Sequence, residues 1–162
     1  MTRRFLLAAL CLAGMSAPAF AALAPRDSWG KAGVSLDQYR ADAVMCGRRG
    51  YYLDVANTPA AQALVKASSR IENLMMGGGS NTDLDPIVMA VQGARPEQRF
   101  REIATLQKTT VETCLTDLGY VRFRLTDEQR GQLEKLRAGT PERHAFLHSL
   151  ASDPKILSTQ HL

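Results

Sequence analysis

The stretch that decides the fold is SLDQYRADAVMCGRRGYYL, residues 35–53. Ser35-Leu36-Asp37-Gln38 has the form of a capping box, in which two side chains satisfy the first free amides of a helix. Val34 and Tyr39 are placed to form a hydrophobic staple around this start. Residues at spacings of three and four then predict the inward face of a helix that ends near Asn57. These residues are Tyr39, Ala43, Cys46, Gly50 and Leu53.

Further start and stop signals divide the middle of the chain. Thr58-Pro59 pairs an N-cap with proline at the first helical position and predicts a helix to about Met76. Gly77-Gly78-Gly79 stops this helix, and Asp85-Pro86 can begin a short helix through Gln92. A buried strand fits residues 86–92 equally well, because periodicity does not separate the two at this length. The predicted apolar faces are Leu64, Ala67, Ile71, Leu74 and Met75, then Ile87, Val88, Met89 and Val91.

The longest predicted helix begins at Pro96 and reaches about Leu118. Gly119 favours a left-handed cap that lets Tyr120 pack back on the last turn. Residues 121–125 alternate like a strand, but one short strand has no evident partner. The predicted inward stripe of the long helix is Phe100, Ile103, Ala104, Val111, Cys114 and Leu118.

Two more helices are predicted near the C-terminus. A second capping box at Thr126-Asp127-Glu128-Gln129 begins a helix that ends at Gly139, and Thr140-Pro141 begins the last one. Residues 155–162 are expected to fray or to dock weakly. The predicted fold class is therefore all-α, a small bundle of about five or six helices with one disulfide between helices.

Residues 1–21 have the three regions of a cleavable export signal. Arg3-Arg4 is basic, residues 5–14 are almost entirely apolar, and Ala19-Phe20-Ala21 is a small-x-small cleavage site. A membrane anchor would need about 20 apolar residues, more than this segment offers. We therefore expect cleavage near Ala21 and a periplasmic or secreted location.

Cleavage would leave a single helical domain, residues 22–162, with an extended N-terminal lead-in. The bulky Leu10 before Cys11 disfavours lipid attachment. The signal removes two of the 20 Lys and Arg and none of the 16 Asp and Glu, so the net charge falls from +4 to +2. Such a charge gives no argument for nucleic acid as a partner. No apolar run in the mature chain is long enough to predict a transmembrane segment.

Two cysteines, Cys46 and Cys114, are left after cleavage. An even count in an oxidising compartment predicts one disulfide. Two buried free thiols are the alternative. Because both residues fall on inward stripes, the bridge would join the first helix to the longest one.

Two incomplete metal patterns occur. His144 and His148 are four residues apart, but no glutamate lies between them in the metalloprotease pattern and no third ligand follows nearby. Asn81, Asp83 and Asp85 alternate like the start of a calcium loop, but its sixth and twelfth positions hold proline and glutamine. We expect a packed or solvated histidine pair and a polar linker, with no metal and no cofactor.

Common catalytic patterns are absent from the sequence. GxSxG, the P-loop and GxGxxG do not occur, and the mature cysteines lack CxxC spacing. We therefore expect a binding protein rather than an enzyme, acting as an accessory or interaction module of the cell envelope. The alternatives are a hydrolase with a site assembled from scattered polar residues, and a carrier with an apolar cavity for a small ligand.

Arginine and tyrosine residues follow both cysteines in the sequence. If Cys46 bonds Cys114, the arginines after Cys46 are expected near the chain that follows Gly119. Arginine and tyrosine are enriched in binding hot spots, although charged runs often simply face water. The partners they predict are an envelope protein, peptidoglycan or anionic lipid. The predicted binding residues are Arg48, Arg49, Tyr51, Tyr120, Arg122 and Arg124.

Three short patterns stand out as a set: Trp29-x-Lys31-x-Gly33-x-Ser35, Asp42-x-x-x-Cys46 and Cys114-x-x-x-x-Gly119-Tyr120. The set resembles a pattern in small exported proteins of Gram-negative bacteria that have no assigned activity. The resemblance implies an envelope location and a bridge between the two cysteines, and it supplies no catalytic residue. Many relatives are lipoproteins, whereas this chain lacks a good lipidation site. The tail from Leu125 to Gln160 is not explained by the resemblance.

Overall fold

The computed structural model describes residues 25–77 and 85–162. The predicted signal peptide lies outside these residues, as do Asn81 and Asp83 of the calcium-like pattern. The elements in chain order are β1 (Asp27–Gly30), α1 (Leu36–Tyr51), α2 (Pro59–Met76), α3 (Asp85–Ala94), α4 (Pro96–Asp117), β2 (Val121–Arg124), α5 (Asp127–Lys135), α6 (Pro141–Ala151) and α7 (Pro154–Thr159). The prediction of a mainly helical fold is confirmed, and residues 85–94 form a helix rather than a strand.

The disulfide joins α1 to α4. Cys46 and Cys114 are both buried, with their Cα atoms 5.5 Å apart. One turn further along α1, Gly50 lies so close to α4 that an added Cβ would be 2.5 Å from Cγ2 of Val111 and 2.8 Å from the carbonyl oxygen of Gln107. The predicted bridge between helices is therefore confirmed, and the lack of a side chain at Gly50 permits the close approach.

The predicted N-caps are present at four helices. The side chains of Ser35, Thr58, Thr126 and Thr140 each accept a hydrogen bond from the amide three residues later. At Thr126 the capping box is complete, whereas the Gln38 side chain donates instead to Asp42 and leaves the box at Ser35 half formed.

Two predicted helix ends were wrong. α1 ends at Tyr51 rather than near Asn57, because Asp54 accepts from the amide of Ala56 and Thr58 donates to the carbonyl of Val55. These local bonds form a turn that competes with continued helix. α5 ends at Lys135 rather than at Gly139. The carbonyls of Leu133 and Leu136 there accept hydrogen bonds from Arg143 of the next helix.

The expectation of a strand without a partner was also wrong. β2 pairs antiparallel with β1, so that Trp29 lies opposite Arg122 and Asp27 opposite Arg124. The partner comes from the extended lead-in, far away in sequence. On the other edge of β2, the amide of Arg124 donates to the carbonyl of Gln160 over 2.9 Å. The C-terminal tail therefore docks against the sheet instead of fraying.

The buried side chains form two adjacent clusters. One is formed by side chains of β2, the residue after it and the C-terminal helices, and it consists of Phe123, Leu125, Leu133, Leu150, Ala151 and Leu157. The other surrounds the disulfide and consists of Cys46, Cys114, Leu115 and Tyr120. Tyr39 packs against both clusters and joins them. We call the part of the chain built around these clusters the body.

The remaining helices form a less buried unit, which we call the arm: α2, α3 and residues 96–106 of α4. Among the described residues of the arm, Ala60 and Ala90 are the buried ones. The predicted inward faces were therefore wrong for several large apolar residues, because three helices alone do not enclose the side chains on each other's surfaces. The exposed ones are Leu74, Met75, Val88, Met89, Val91 and Phe100. Ala104, on the same predicted stripe, is exposed as well.

Candidate functional site

The three sequence patterns meet in one region of the body. Tyr120 packs beside the disulfide and is hydrogen-bonded to Asp42, and Trp29 packs against the same buried cluster. We call the residues of these patterns the signature residues: Trp29, Lys31, Gly33, Ser35, Asp42, Cys46, Cys114, Gly119 and Tyr120. The structure thus brings distant parts of the sequence together, and the following contacts and backbone angles show what the signature residues do in the fold.

Asp42 is a buried charged residue at the centre of this region. Its Oδ2 accepts a hydrogen bond from the Tyr120 hydroxyl over 2.9 Å, and its Oδ1 accepts one from the Gln38 amide over 2.7 Å. Burial, followed by the bond to Asp42, raises the pKa of Tyr120 above its ordinary value. Both carboxylate oxygens are therefore occupied by neighbours within the fold, as a buried carboxylate requires.

Lys31 and the two signature glycines hold the chain around Tyr120. The Lys31 ammonium donates to the carbonyl of Leu118 over 2.8 Å and lies 5.8 Å from the centre of the Tyr120 ring. This places a cation at the C-terminus of α4, where the helix dipole is negative. Gly119 and Gly33 have φ of +83° and +69°, which a residue without Cβ adopts readily. The predicted left-handed cap at Gly119 is confirmed.

Tyr39 and His148 extend the cluster toward α6. The Tyr39 ring lies 6.2 Å from that of Tyr120 and 5.7 Å from that of His148, measured between ring centres. Nε2 of His148 is 2.7 Å from the carbonyl oxygen of Val34. Burial raises the pKa of Tyr39. His148 is thus engaged in packing and in a backbone contact. Within the described part of the chain, no group of three or more His, Cys, Asp or Glu side chains could hold a metal ion.

The signature residues therefore build the fold around the disulfide. Ser35 caps α1, Lys31 caps α4, and Asp42 ties α1 to the chain after α4. The candidate binding residues are therefore those with exposed side chains.

The six predicted binding residues do not form one patch. Successive inward residues of α1 meet successively earlier residues of α4: Asp42 bonds Tyr120 just after the helix, Cys46 bonds Cys114, and Gly50 contacts Val111. The two helices therefore cross antiparallel. The chain after Cys46 therefore runs toward the start of α4, whereas β2 continues from its end. After Cys46, α1 therefore runs away from β2, although the Arg49 side chain still lines a depression that reaches Asp117, two residues before Gly119.

Three of those six residues have partners within the body. Tyr120 is buried against Asp42. Arg122 and Arg124 both bind the carboxylate of Asp27 on the neighbouring strand, at 2.9 and 3.1 Å. The hydrogen bond and charge of Arg124, and to a smaller extent those of Arg122, hold the pKa of Asp27 below its usual value. These arginines belong to a cross-strand ion pair, and sequence reasoning missed the acid because its strand was not predicted.

The other three residues lie along the exposed side of α1 and at its end. This side carries a shallow depression of about 750 Å³, open to solvent, which is lined by Asp37, Arg40, Ala41, Val44, Met45, Arg48 and Arg49. Arg49 also lines a smaller depression of about 270 Å³ with Thr113 and Asp117 of α4. Tyr51 and Tyr52 follow directly. Sequence reasoning missed Arg40, Val44 and Met45, although their spacing of four and eight from Arg48 or Arg49 places them on the same side of a helix.

Two other open depressions lie along the arm, of about 550 and 380 Å³. The larger is formed where the start of α2 meets α4, and the smaller where α3 meets α4. Arg101 lines both. Among the described helices, none is long and apolar enough to cross a membrane.

Comparison of the chain with protein families, curated proteins and solved structures finds no match.

Proposed function

We propose that the chain is an exported interaction module of the cell envelope, and that the outer side of α1 binds an acidic protein partner. We call this surface the α1 face; it consists of Arg40, Val44, Met45, Arg48, Arg49, Tyr51 and Tyr52. The observation that carries the proposal is that exposed apolar side chains lie between arginines that form no salt bridge within the described part of the chain.

The apolar part of the α1 face is exposed to solvent. Val44 is 56% and Met45 37% exposed, and both lie on a helix whose opposite side is fixed by the disulfide. Tyr51 and Tyr52 are 75% and 76% exposed and contact each other edge to face, with ring centres 5.0 Å apart. Aromatic and methionine side chains are enriched at binding surfaces.

The charged part of the face is positive. Within the described part of the chain, Arg40, Arg48 and Arg49 form no salt bridge. The acidic residues that share a depression with them are Asp37 and, on the α4 side of Arg49, Asp117. Guanidinium groups bind carboxylates through paired hydrogen bonds, which favours a partner with Asp or Glu at the edges of an apolar strip. Val44 and Met45 are the aliphatic side chains of the face, and two such side chains offer little surface for insertion into lipid, which favours a protein over a bilayer.

The disulfide supports the exported location. Disulfides persist in oxidising compartments and are rare in the cytosol. The N-terminal residues that predict the signal are tested separately: sequencing the N-terminus of the protein from the periplasmic fraction should give Ala22 as the first residue. A full-length chain confined to the cytoplasm would contradict this part of the proposal.

The binding surface is tested by photo-crosslinking in the cells that produce the protein. A photoreactive amino acid is placed at Val44, at Tyr52 or, as a control, at the exposed Ser149 on α6. We expect an adduct of the same partner from the first two positions and none from Ser149. Mass spectrometry should then identify a protein with acidic residues flanking an apolar strip. No adduct from either α1 position, or equal adducts from Ser149, would contradict the proposal.

A further inference from the structure

A second exposed surface lies on the arm and is chemically different from the α1 face. Met75 and Met76, at the end of α2, are 69% and 87% exposed, and Met89 of α3 is 68% exposed. Leu74, Val88 and Val91 are exposed around them. The start of α2 and the end of α3 both lie against the first turns of α4, and α2 and α3 pack together, so the end of α2 and the start of α3 point to the other end of the arm. We call these six residues the arm face.

The arm has little interior of its own. Among its described residues Ala60 and Ala90 are buried, and both have small side chains. α3 has ten residues, and isolated helices of fewer than about 12 residues are marginal in water. Soluble monomers rarely expose contiguous apolar patches larger than a few hundred Å². The large apolar side chains of α2 and α3 would therefore gain most from burial against another surface.

The charge pattern of the arm face indicates what kind of surface this is. None of its six residues is charged, and residues 86–94 contain no charged residue at all. Over the described helices α2 and α3, Lys66 and Arg70 balance Glu72 and Asp85. An anionic membrane or an acidic protein would be bound by lysine and arginine, which the face lacks.

We infer that the arm face is a homodimer contact, formed by its packing on the same face of a second copy of this chain. A twofold interface requires a surface that complements itself, and a neutral apolar face meets its own copy without like-charge repulsion. The α1 face carries three arginines and would repel its own copy. The six residues of the arm face are fewer than the roughly 20–30 residues per side of a standard interface, so we expect a dimer that dissociates on dilution. Methionine side chains adapt to each other across such a contact.

This inference does not depend on the proposed function, because it uses a different surface. It is tested by sedimentation of the mature protein over a range of concentrations. We expect the mass of two chains at high concentration and of one chain on dilution. Met76→Lys combined with Met89→Lys should abolish the dimer, whereas the matched control Met45→Lys, an exposed methionine on α1, should leave it intact. A wild-type monomer at every concentration, or a double variant that still dimerises, would overturn the inference.

Methionine oxidation gives a second measurement that needs no variant. With peroxide, Met75, Met76 and Met89 should each oxidise more slowly in the concentrated protein than after dilution, whereas the rate for Met45 should be the same at both concentrations. Oxidation of Met75, Met76 and Met89 at rates that do not depend on protein concentration would contradict the dimer. A chain that stays monomeric and floats with phosphatidylglycerol vesicles through the same three methionines would also overturn it, and would assign the face to lipid.

Discussion

The Tyr120 hydroxyl donates a hydrogen bond to Oδ2 of Asp42 over 2.9 Å and so ties the chain after α4 to the middle of α1. The contact is buried and lies beside the disulfide, between two of the three sequence patterns. It gives the acid and the tyrosine of these patterns a structural role: the two side chains satisfy each other inside the body.

Tyr120→Phe removes this bond while keeping the ring. The Asp42 carboxylate is then left with the Gln38 amide as its remaining side-chain donor. Loss of one partner from a buried acceptor costs about 1–3 kcal/mol, and we expect the free energy of unfolding to fall by this amount. Urea denaturation measures it. Tyr51→Phe, at an exposed tyrosine, is the control and should change little; equal stability of both variants would show that the Asp42 bond contributes nothing.

Two glycines of α1 should respond to alanine with opposite signs. At Gly50 an added Cβ would meet Val111 and the backbone of Gln107, so Gly50→Ala should push α1 away from α4 and cost about 1–3 kcal/mol. At Gly47 nothing lies within 4 Å of the added Cβ. Gly47→Ala should therefore stabilise the helix by about 0.5–1 kcal/mol. Thermal unfolding of the two variants side by side checks this, and destabilisation by Gly47→Ala would refute the packing described for α1.

Reduction of the Cys46–Cys114 bridge should lower stability substantially. The two residues are 68 apart in sequence. In the chain-entropy model, closing a loop of that length raises the free energy of the unfolded chain by about 4 kcal/mol and so stabilises the fold. Urea unfolding with and without reductant measures the loss. The variant with both cysteines replaced by alanine should not respond to reductant. Two free thiols in freshly isolated, oxidised protein would contradict the bridge.

The Asp27 ion pair predicts a pH dependence with a defined sign. Arg124 and Arg122 hold the folded-state pKa of Asp27 below the value of 3.8 expected for the unfolded chain. The pair therefore stabilises the fold above that unfolded pKa, and this contribution is lost as the pH falls through the lower folded pKa. Asp27→Asn should make the decline in stability toward acid shallower, and Arg124→Gln should do the same. An unchanged acid decline in both variants would contradict the assignment.

The features that the sequence predicted are those that local signals determine. Threonine or serine before a helix satisfies nearby amides, so the starts at Thr58, Thr126 and Thr140 followed from residues three positions apart. The inward positions of Cys46 and Cys114 followed from helical periodicity. These interactions involve few residues and little competition from the rest of the chain.

The features that were missed depend on distant contacts. No local pattern shows that residues 27–30 pair with β2, or that the C-terminal tail covers its other edge. The direction in which α1 crosses α4 decided where Arg48 and Arg49 lie. One signal could have indicated it: Asp42 precedes Cys46 and Tyr120 follows Cys114, so an antiparallel crossing gives the buried acid its partner. The exposure of Met75 and Met89 could not be predicted, since apolar spacing does not report how many helices surround a stripe.

The central claim, that the α1 face binds an acidic partner, is tested most directly by charge reversal. The yield of photo-crosslinked partner from position Val44 is compared between the unmodified chain, Arg48→Glu with Arg49→Glu, and a control with the same charge change, Arg70→Glu with Arg137→Glu. Both variants should stay folded at the temperature of the experiment, because the four arginines are exposed. Arg48→Glu with Arg49→Glu should melt somewhat lower than the control, because both arginines lie in the last turn of α1 and favour its negative end. The account predicts that the adduct is lost in the first variant and retained in the control. An adduct retained in the folded Arg48→Glu, Arg49→Glu protein would contradict it.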